Sequence, residues 1–255
     1  MQRKSRNDTP EKAMKTLLKL LLLLVSVAYL AFVFLKVSRT ETVTTCQSVR
    51  MLVADSAKAG FITPAEVERI LQQHSLYPIG REMGKISGVE IEKALESNHF
   101  VRKAQVYKTP ANRAVNIIVS QRTPLLRIMT EAGDFYVDES GQRMQAGQYA
   151  ADVPVVTGKA DLNYVRRKLL PLGRLLRADD FWNAQIQQLA VDGNGEVDLV
   201  PRVGSQLIHF GDPAQQARIK LRNLRAFYEK VMPEVGWNKY RLINLEHSNQ
   251  IICKK

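Results

Sequence analysis

Hydrophobic and polar positions are arranged in three ways along this chain, and each arrangement predicts a different element. Residues 20–35 read LLLLLVSVAYLAFVFL, sixteen positions without a charge. With Leu17 and Leu18 before Lys19, and Val37 after Lys36, the apolar stretch reaches about twenty residues, enough for a helix to cross a bilayer core. Beyond it the pattern is that of a water-exposed, folded chain. Residues 46–54 (CQSVRMLVA) predict a strand. Thr63, Pro64 and Glu66 then form a capping box with proline at the first helical position, and Val67, Ile70 and Leu71 continue a helical face. Ser87 and Glu90 repeat the signal for a second helix with Val89, Ile91, Ala94 and Leu95, closed near Asn98. Residues 101–107 and 114–120 alternate as strands, joined through Thr109, Pro110, Ala111 and Asn112, a good turn. The order is strand, helix, helix, strand, strand. Its two amphipathic helices need a sheet face to bury against.

The second half is richer in strands. Pro124 interrupts an apolar run that resumes at residues 125–129. Residues 135–143 predict strand, turn and strand, and residues 153–158 a short strand ended by Gly158. Residues 161–177 predict a helix that Pro171 kinks or splits. Residues 181–191 predict a strand turning through Asp192, Gly193, Asn194 and Gly195 into residues 196–200. Residues 206–210 form another strand before Gly211. Residues 213–231 predict the clearest helix, with Ile219, Leu221, Leu224, Phe227, Tyr228 and Val231 at helical spacing. Residues 240–252 are strand-like at both ends, with a turn near His247, Ser248 and Asn249. The fold class is therefore α+β: a membrane helix, a compact α+β unit, and a mixed, mostly antiparallel β domain with flanking helices.

Charge orients the anchor. Arg3, Lys4, Arg6, Lys12 and Lys15 precede Leu17 against Asp8 and Glu11, which places the N-terminus in the cytoplasm. A cleaved signal peptide would have a shorter apolar core and a small-x-small site, whereas Phe34, Leu35, Lys36 and Val37 are bulky or charged. Of the net charge of +12, residues 1–35 carry +4, with six basic against two acidic residues, so the body keeps +8. A basic body outside the membrane fits nearness to anionic lipid or wall polymer, and no nucleic-acid-binding motif is present. Cys46 and Cys253 have no spacing that calls for a bridge. His74, His99, His209 and His247 are scattered without metal-ligand spacing. The Asp192 segment looks like a calcium loop but has Val197 at its sixth and Val203 at its twelfth position, where glycine and glutamate belong. Asp138 and Glu139 read as turn residues beside Gly141. No nucleophile, metal or phosphate-loop set stands out. We expect no enzyme, no cofactor and no small-molecule substrate.

Several passages resemble the FtsQ/DivIB family of bacterial cell-division proteins. Gly60, Phe61, Ile62 and Thr63 resemble the lead into the first helix of that family's POTRA unit. Residues 98–104 (NHFVRKA) are similar to its P-W-V-x-x-A step, and Gln121, Arg122, Thr123 and Pro124 to its Glu-Arg-x-Pro junction. Residues 136–141 are similar to its V-D-x-x-G hairpin, 153–158 to its L-P-x-L-x-G strand, 204–211 to its G-x-x-V-x-L-G strand, and 241–252 to its D-L-R-Y-x-x-x-V hairpin. No single motif is decisive; their shared order carries the resemblance. Gln121 stands for the usual glutamate, Phe210 for leucine, and Asn244 to His247 for Asp-Leu-Arg-Tyr.

The resemblance implies a cytoplasmic tail (1–16), a transmembrane helix (17–37), a juxtamembrane linker (38–45), a POTRA-like domain (46–121) and a β domain (122–255). It implies a single-pass type II protein of the inner, cytoplasmic membrane with a periplasmic body. The expected function is a non-enzymatic divisome scaffold binding FtsB and FtsL during septum formation. A C-terminal edge strand offers free N–H and C=O groups to a partner, so the expected site is Leu242, Ile243, Asn244, Leu245, Glu246, His247, Ser248, Asn249, Gln250, Ile251 and Ile252. A second surface is Val101, Arg102, Lys103, Gln105 and Val106 on the POTRA sheet. The alternative is a POTRA-containing, chaperone-like component of a translocation system. A second copy of the unit or barrel strands would favour that alternative, and neither is seen. A membrane-anchored wall hydrolase would need a metal or carboxylate site.

Overall fold

The computed structural model describes residues 9–38, 44–54, 60–147, 150–247 and 249–255. The basic residues Arg3, Lys4 and Arg6 and most of the expected 38–45 linker lie outside the described residues. Helix α1 (Thr9–Ser38) carries the apolar stretch and begins eight residues before Leu17. Its Leu17–Lys36 section has mean hydropathy 2.6, and none of that section is buried against protein. A helix so apolar and so bare is stable only in a bilayer or against a partner.

The first unit follows the predicted order. Strand β1 (Ser48–Ala54) precedes α2 (Pro64–Gln73) and α3 (Gly88–Glu96), then β2 (Val101–Thr109) and β3 (Ala114–Gln121). Both predicted caps form: Thr63 Oγ1 accepts from Glu66 N, and Ser87 Oγ from Glu90 N. The sheet order is β1-β3-β2, with β1 parallel and β2 antiparallel to the central β3. Val67, Ile70 and Leu71 of α2 and Ile91 and Leu95 of α3 pack on Val115, Ile117 and Val119.

The second unit is one nine-stranded sheet. Its strands are β4 (Pro124–Thr130), β5 (Gly133–Asp138), β6 (Arg143–Gln145), β7 (Val155–Gly158), β8 (Ile186–Val191), β9 (Val197–Pro201), β10 (Leu207–Gly211), β11 (Leu242–Asn244) and β12 (Ile252–Lys254). Their order is β12-β11-β10-β9-β8-β7-β4-β5-β6, with parallel pairs only at β10/β11, β4/β7 and β7/β8. Helices α4 (Leu162–Tyr164), α5 (Leu170–Arg177), α6 (Asp180–Gln185), α7 (Ala217–Lys230) and α8 (Met232–Val235) complete it. Leu126, Ile128, Leu172, Trp182, Leu199, Phe210, Leu224 and Ile243 share its core.

Three expectations need correction. Residues 181–185 are helical, because Asp179 caps α6 by accepting from Phe181 N and Trp182 turns into the core; the strand starts only at Ile186. Proline does not simply kink the 161–177 helix: a π-helical turn over Val165–Leu169 separates α4 from α5, just before Pro171. The long C-terminal helix starts at Ala217, not Pro213, and Lys220 is buried while Ile219 is partly exposed.

The two units meet through aromatic rings. Phe61 stacks on Phe100 at 5.3 Å between centroids and leans on Tyr136 at 6.3 Å. Met144, Ala146 and Val153 close this joint. Gln121 Oε1 accepts from both Phe61 N and Ile62 N at 2.9 Å, tying the end of β3 to the lead into α2.

Candidate partner-binding site

The end of the nine-stranded sheet is built from short pieces. Gly236, at a φ of +90°, ends α8 in a backbone conformation that other residues resist. The chain then turns back into β11. Ile243 points into the core and is fully buried, while Leu242 and Asn244 on either side are half-buried. On one flank β11 runs parallel to β10, pairing Leu207 with Leu242 and His209 with Asn244. Leu207 N donates to Arg241 O, and Leu245 N to His209 O, both at 2.8 Å. On the other flank β12 pairs antiparallel, Ile243 opposite Cys253.

The loop between them is partly anchored. Asn244 Oδ1 accepts from Glu246 N at 2.7 Å, and Leu245 is buried. Glu246, His247, Asn249 and Gln250 are exposed, and Ile251 rests half-buried on the core. Ser248 lies outside the described residues. Ile252, 42% exposed, opens β12, the terminal strand of the sheet.

The expected eleven-residue segment therefore divides by role. Leu242, Ile243 and Asn244 are bonded on both flanks, so their backbone groups are taken. Glu246, His247, Asn249 and Gln250 lie in the loop. The open edge is Ile252 with Cys253 and Lys254, two residues beyond the expected range. Only the neighbour order in the finished sheet reveals that edge; alternation in the final residues Ile251 to Lys254 is the one signal that could have extended the strand. Burial pushes the Cys253 thiol up, away from the reactive thiolate.

The POTRA-sheet residues sit differently. Val101 is buried, Arg102, Lys103 and Gln105 are exposed, and Val106 is half-buried. Strand β2 is also terminal, but its outer flank is covered by α3. Ala104 N donates to Glu96 Oε1 at 3.1 Å, and Val106 N to Glu92 Oε1 at 2.8 Å. Two carboxylates, four residues apart on one helix face, occupy the donors that an added strand would need. Sequence reasoning missed both glutamates; their spacing on the face turned toward β2 was the available signal.

The turns singled out as chemical decoys are turns. Asp192 Oδ1 accepts from Asn194 N and Glu196 N, closing the β8–β9 hairpin. Asp138 Oδ1 accepts from Ser140 N, Ser140 Oγ and Gln142 N.

A family model described as FtsQ/DivIB, C-terminal related, matches residues 123–254, and one for a POTRA-like domain matches residues 44–120. No curated protein matches the chain. The first match takes in more than half of the chain and every strand from β4 to β12; the second takes in the caps, both helices and nearly all of the three-stranded sheet. Anchored by one apolar helix, the chain belongs to the FtsQ/DivIB family of non-enzymatic bacterial cell-division proteins.

Proposed function

We propose that this protein is a divisome scaffold that binds FtsB and FtsL by strand addition at β12. Its N-terminus lies in the cytoplasm, α1 crosses the inner membrane, and residues 46–121 and 122–255 act as two domains in the periplasm. The observation that carries the reading is the position of β12 at the end of the nine-stranded sheet, with exposed or half-buried residues and no strand beyond it among the described residues. A partner strand placed there would continue a ladder already nine strands wide, and its affinity would come from main-chain hydrogen bonds. At β2, Glu92 and Glu96 occupy the outer donors, so a second contact there would use the side chains of Arg102, Lys103 and Gln105 rather than the backbone.

The test is co-purification of the full chain from cells against a chain ending at Ile251. Cutting there removes the edge strand and keeps Ile243 and Leu245 in the core. FtsB and FtsL are expected with the full chain and absent with the shortened one, while both chains unfold cooperatively at similar temperature. Retention of both partners by the shortened chain would refute addition at β12. Recovery of secreted or outer-membrane clients instead would favour the translocation alternative.

A further inference from the structure

The cleft between the two units is basic and has a volume of about 800 Å3. That lies within the range of small-ligand sites, roughly 300–1,000 Å3. Four arginines line it: Arg102 from β2, Arg122 from the β3–β4 link, and Arg174 and Arg177 from α5. Two acidic residues share the lining. Asp138 is already engaged by Ser140, Gln142 and, at 2.9 Å, by Arg122 Nη1. Glu139 holds Arg174 through its backbone carbonyl, which accepts from Nε at 3.0 Å and from Nη2. Arg177 donates to Pro124 O at 3.4 Å, again a carbonyl. The Arg102 side chain has no hydrogen bond or ion pair among the described residues. Arg174 and Arg177 are thus held in place by neutral groups and Arg102 by none, so three positive charges stand against the one carboxylate of Glu139.

A buried donor marks the same wall. Gln121 is 2% exposed, and its Oε1 accepts two backbone N–H groups. That pairing fixes the amide, because its nitrogen cannot accept. The remaining Nε2 is buried without a partner. A buried donor in this state is costly, and it lies in the wall of the cleft beside Arg122.

We propose that this cleft binds a small polyvalent oxyanion of the phosphate type. Guanidinium groups recognise phosphate and carboxylate through paired N–H donors. Four guanidinium groups offer more donors than the two oxygens of a carboxylate can accept, whereas a diphosphate offers enough oxygens to engage several at once. The ligand would bridge Arg102 of the first unit and α5 of the second, and so would brace the joint. The phosphate could be a soluble compound or a lipid headgroup, since β1 begins ten residues after α1 ends, a reach of at most about 35 Å. This inference does not rest on strand addition at β12.

The test is calorimetric titration of the full chain, in phosphatidylcholine nanodiscs, with inorganic pyrophosphate. Saturable one-to-one binding is expected. Arg102→Gln and Arg177→Gln should each weaken it about tenfold, and Arg222→Gln, an exposed arginine on α7, should leave it unchanged. The Arg102 side chain makes no internal bond among the described residues, so its loss reads binding and not folding. No saturable heat, or equal weakening by Arg222→Gln, would overturn the site and leave only diffuse charge. Repeating the titration in nanodiscs containing phosphatidic acid, whose phosphate monoester is polyvalent, separates the sources: unchanged affinity assigns a soluble phosphate compound, and weakened affinity assigns competing headgroups.

Discussion

Asp138 and Gln121 show how single side chains fix the chain on either side of the joint between the two units. Burial pushes the Asp138 carboxyl up, but the hydrogen bonds from Ser140 and Gln142 and the Arg122 guanidinium outweigh it and hold it below the usual aspartate range. Its contribution to stability is therefore complete above the ordinary aspartate pKa of about 3.9 and is lost as pH falls through the lowered folded value. Asp138→Asn should destabilise the protein by about 1.5–3 kcal/mol at neutral pH. In denaturant titrations the gap from the parent should narrow below about pH 4; a gap independent of pH would show that the charge of Asp138 does not matter. The turn around Asp138 was legible, because Asp, Ser and Gly at this spacing favour only a few backbone shapes. The role of Gln121 was not, because its partners lie sixty residues earlier and no local pattern couples them. Lys220 was missed for a related reason: its ammonium reaches Phe210 O at 2.7 Å across the fold, while helical spacing alone favoured Ile219.

Elements were most legible where caps spoke for themselves. Thr63 and Ser87 set α2 and α3 from four-residue signals, since a cap and the N–H it accepts from lie within one turn. The 181–185 stretch was misread because two aromatic residues favour a strand, and the Asp179 cap with burial of Trp182 overrode that preference. The covering of β2 by α3 is a further property of elements and not of residues taken singly. Glu92 and Glu96 protect a terminal strand that would otherwise template pairing with another chain. Glu92→Ala should cost about 1–2 kcal/mol through the unpaired Val106 N–H. The double change Glu92→Ala with Glu96→Ala should also cause concentration-dependent self-association in sedimentation. A double variant that stays monomeric would show that the glutamates do not guard this edge.

At the scale of the whole molecule, one apolar helix tethers two sheets that differ in how they end. The three-stranded sheet presents a flank plugged by carboxylates, and the nine-stranded sheet ends in the short, open β12. The Phe61, Phe100 and Tyr136 rings join the two sheets. Anchor, element order and family layout were all legible in the chain, because each depends on patterns within a few turns or on their sequence order. Which strand lies at the edge was not, since strand neighbours in a sheet are set by the finished topology: β11, not β12, adjoins β10, and β10 lies more than thirty residues earlier. The most direct measurement of the central claim is photocrosslinking in dividing cells from a benzoylphenylalanine at Ile252 of the full chain, with Gln105 and Arg222 as comparison positions. Strand addition at β12 predicts an FtsB adduct from Ile252 and none from Arg222. An FtsB adduct from Gln105 with none from Ile252 would contradict it and move the partner to the POTRA sheet.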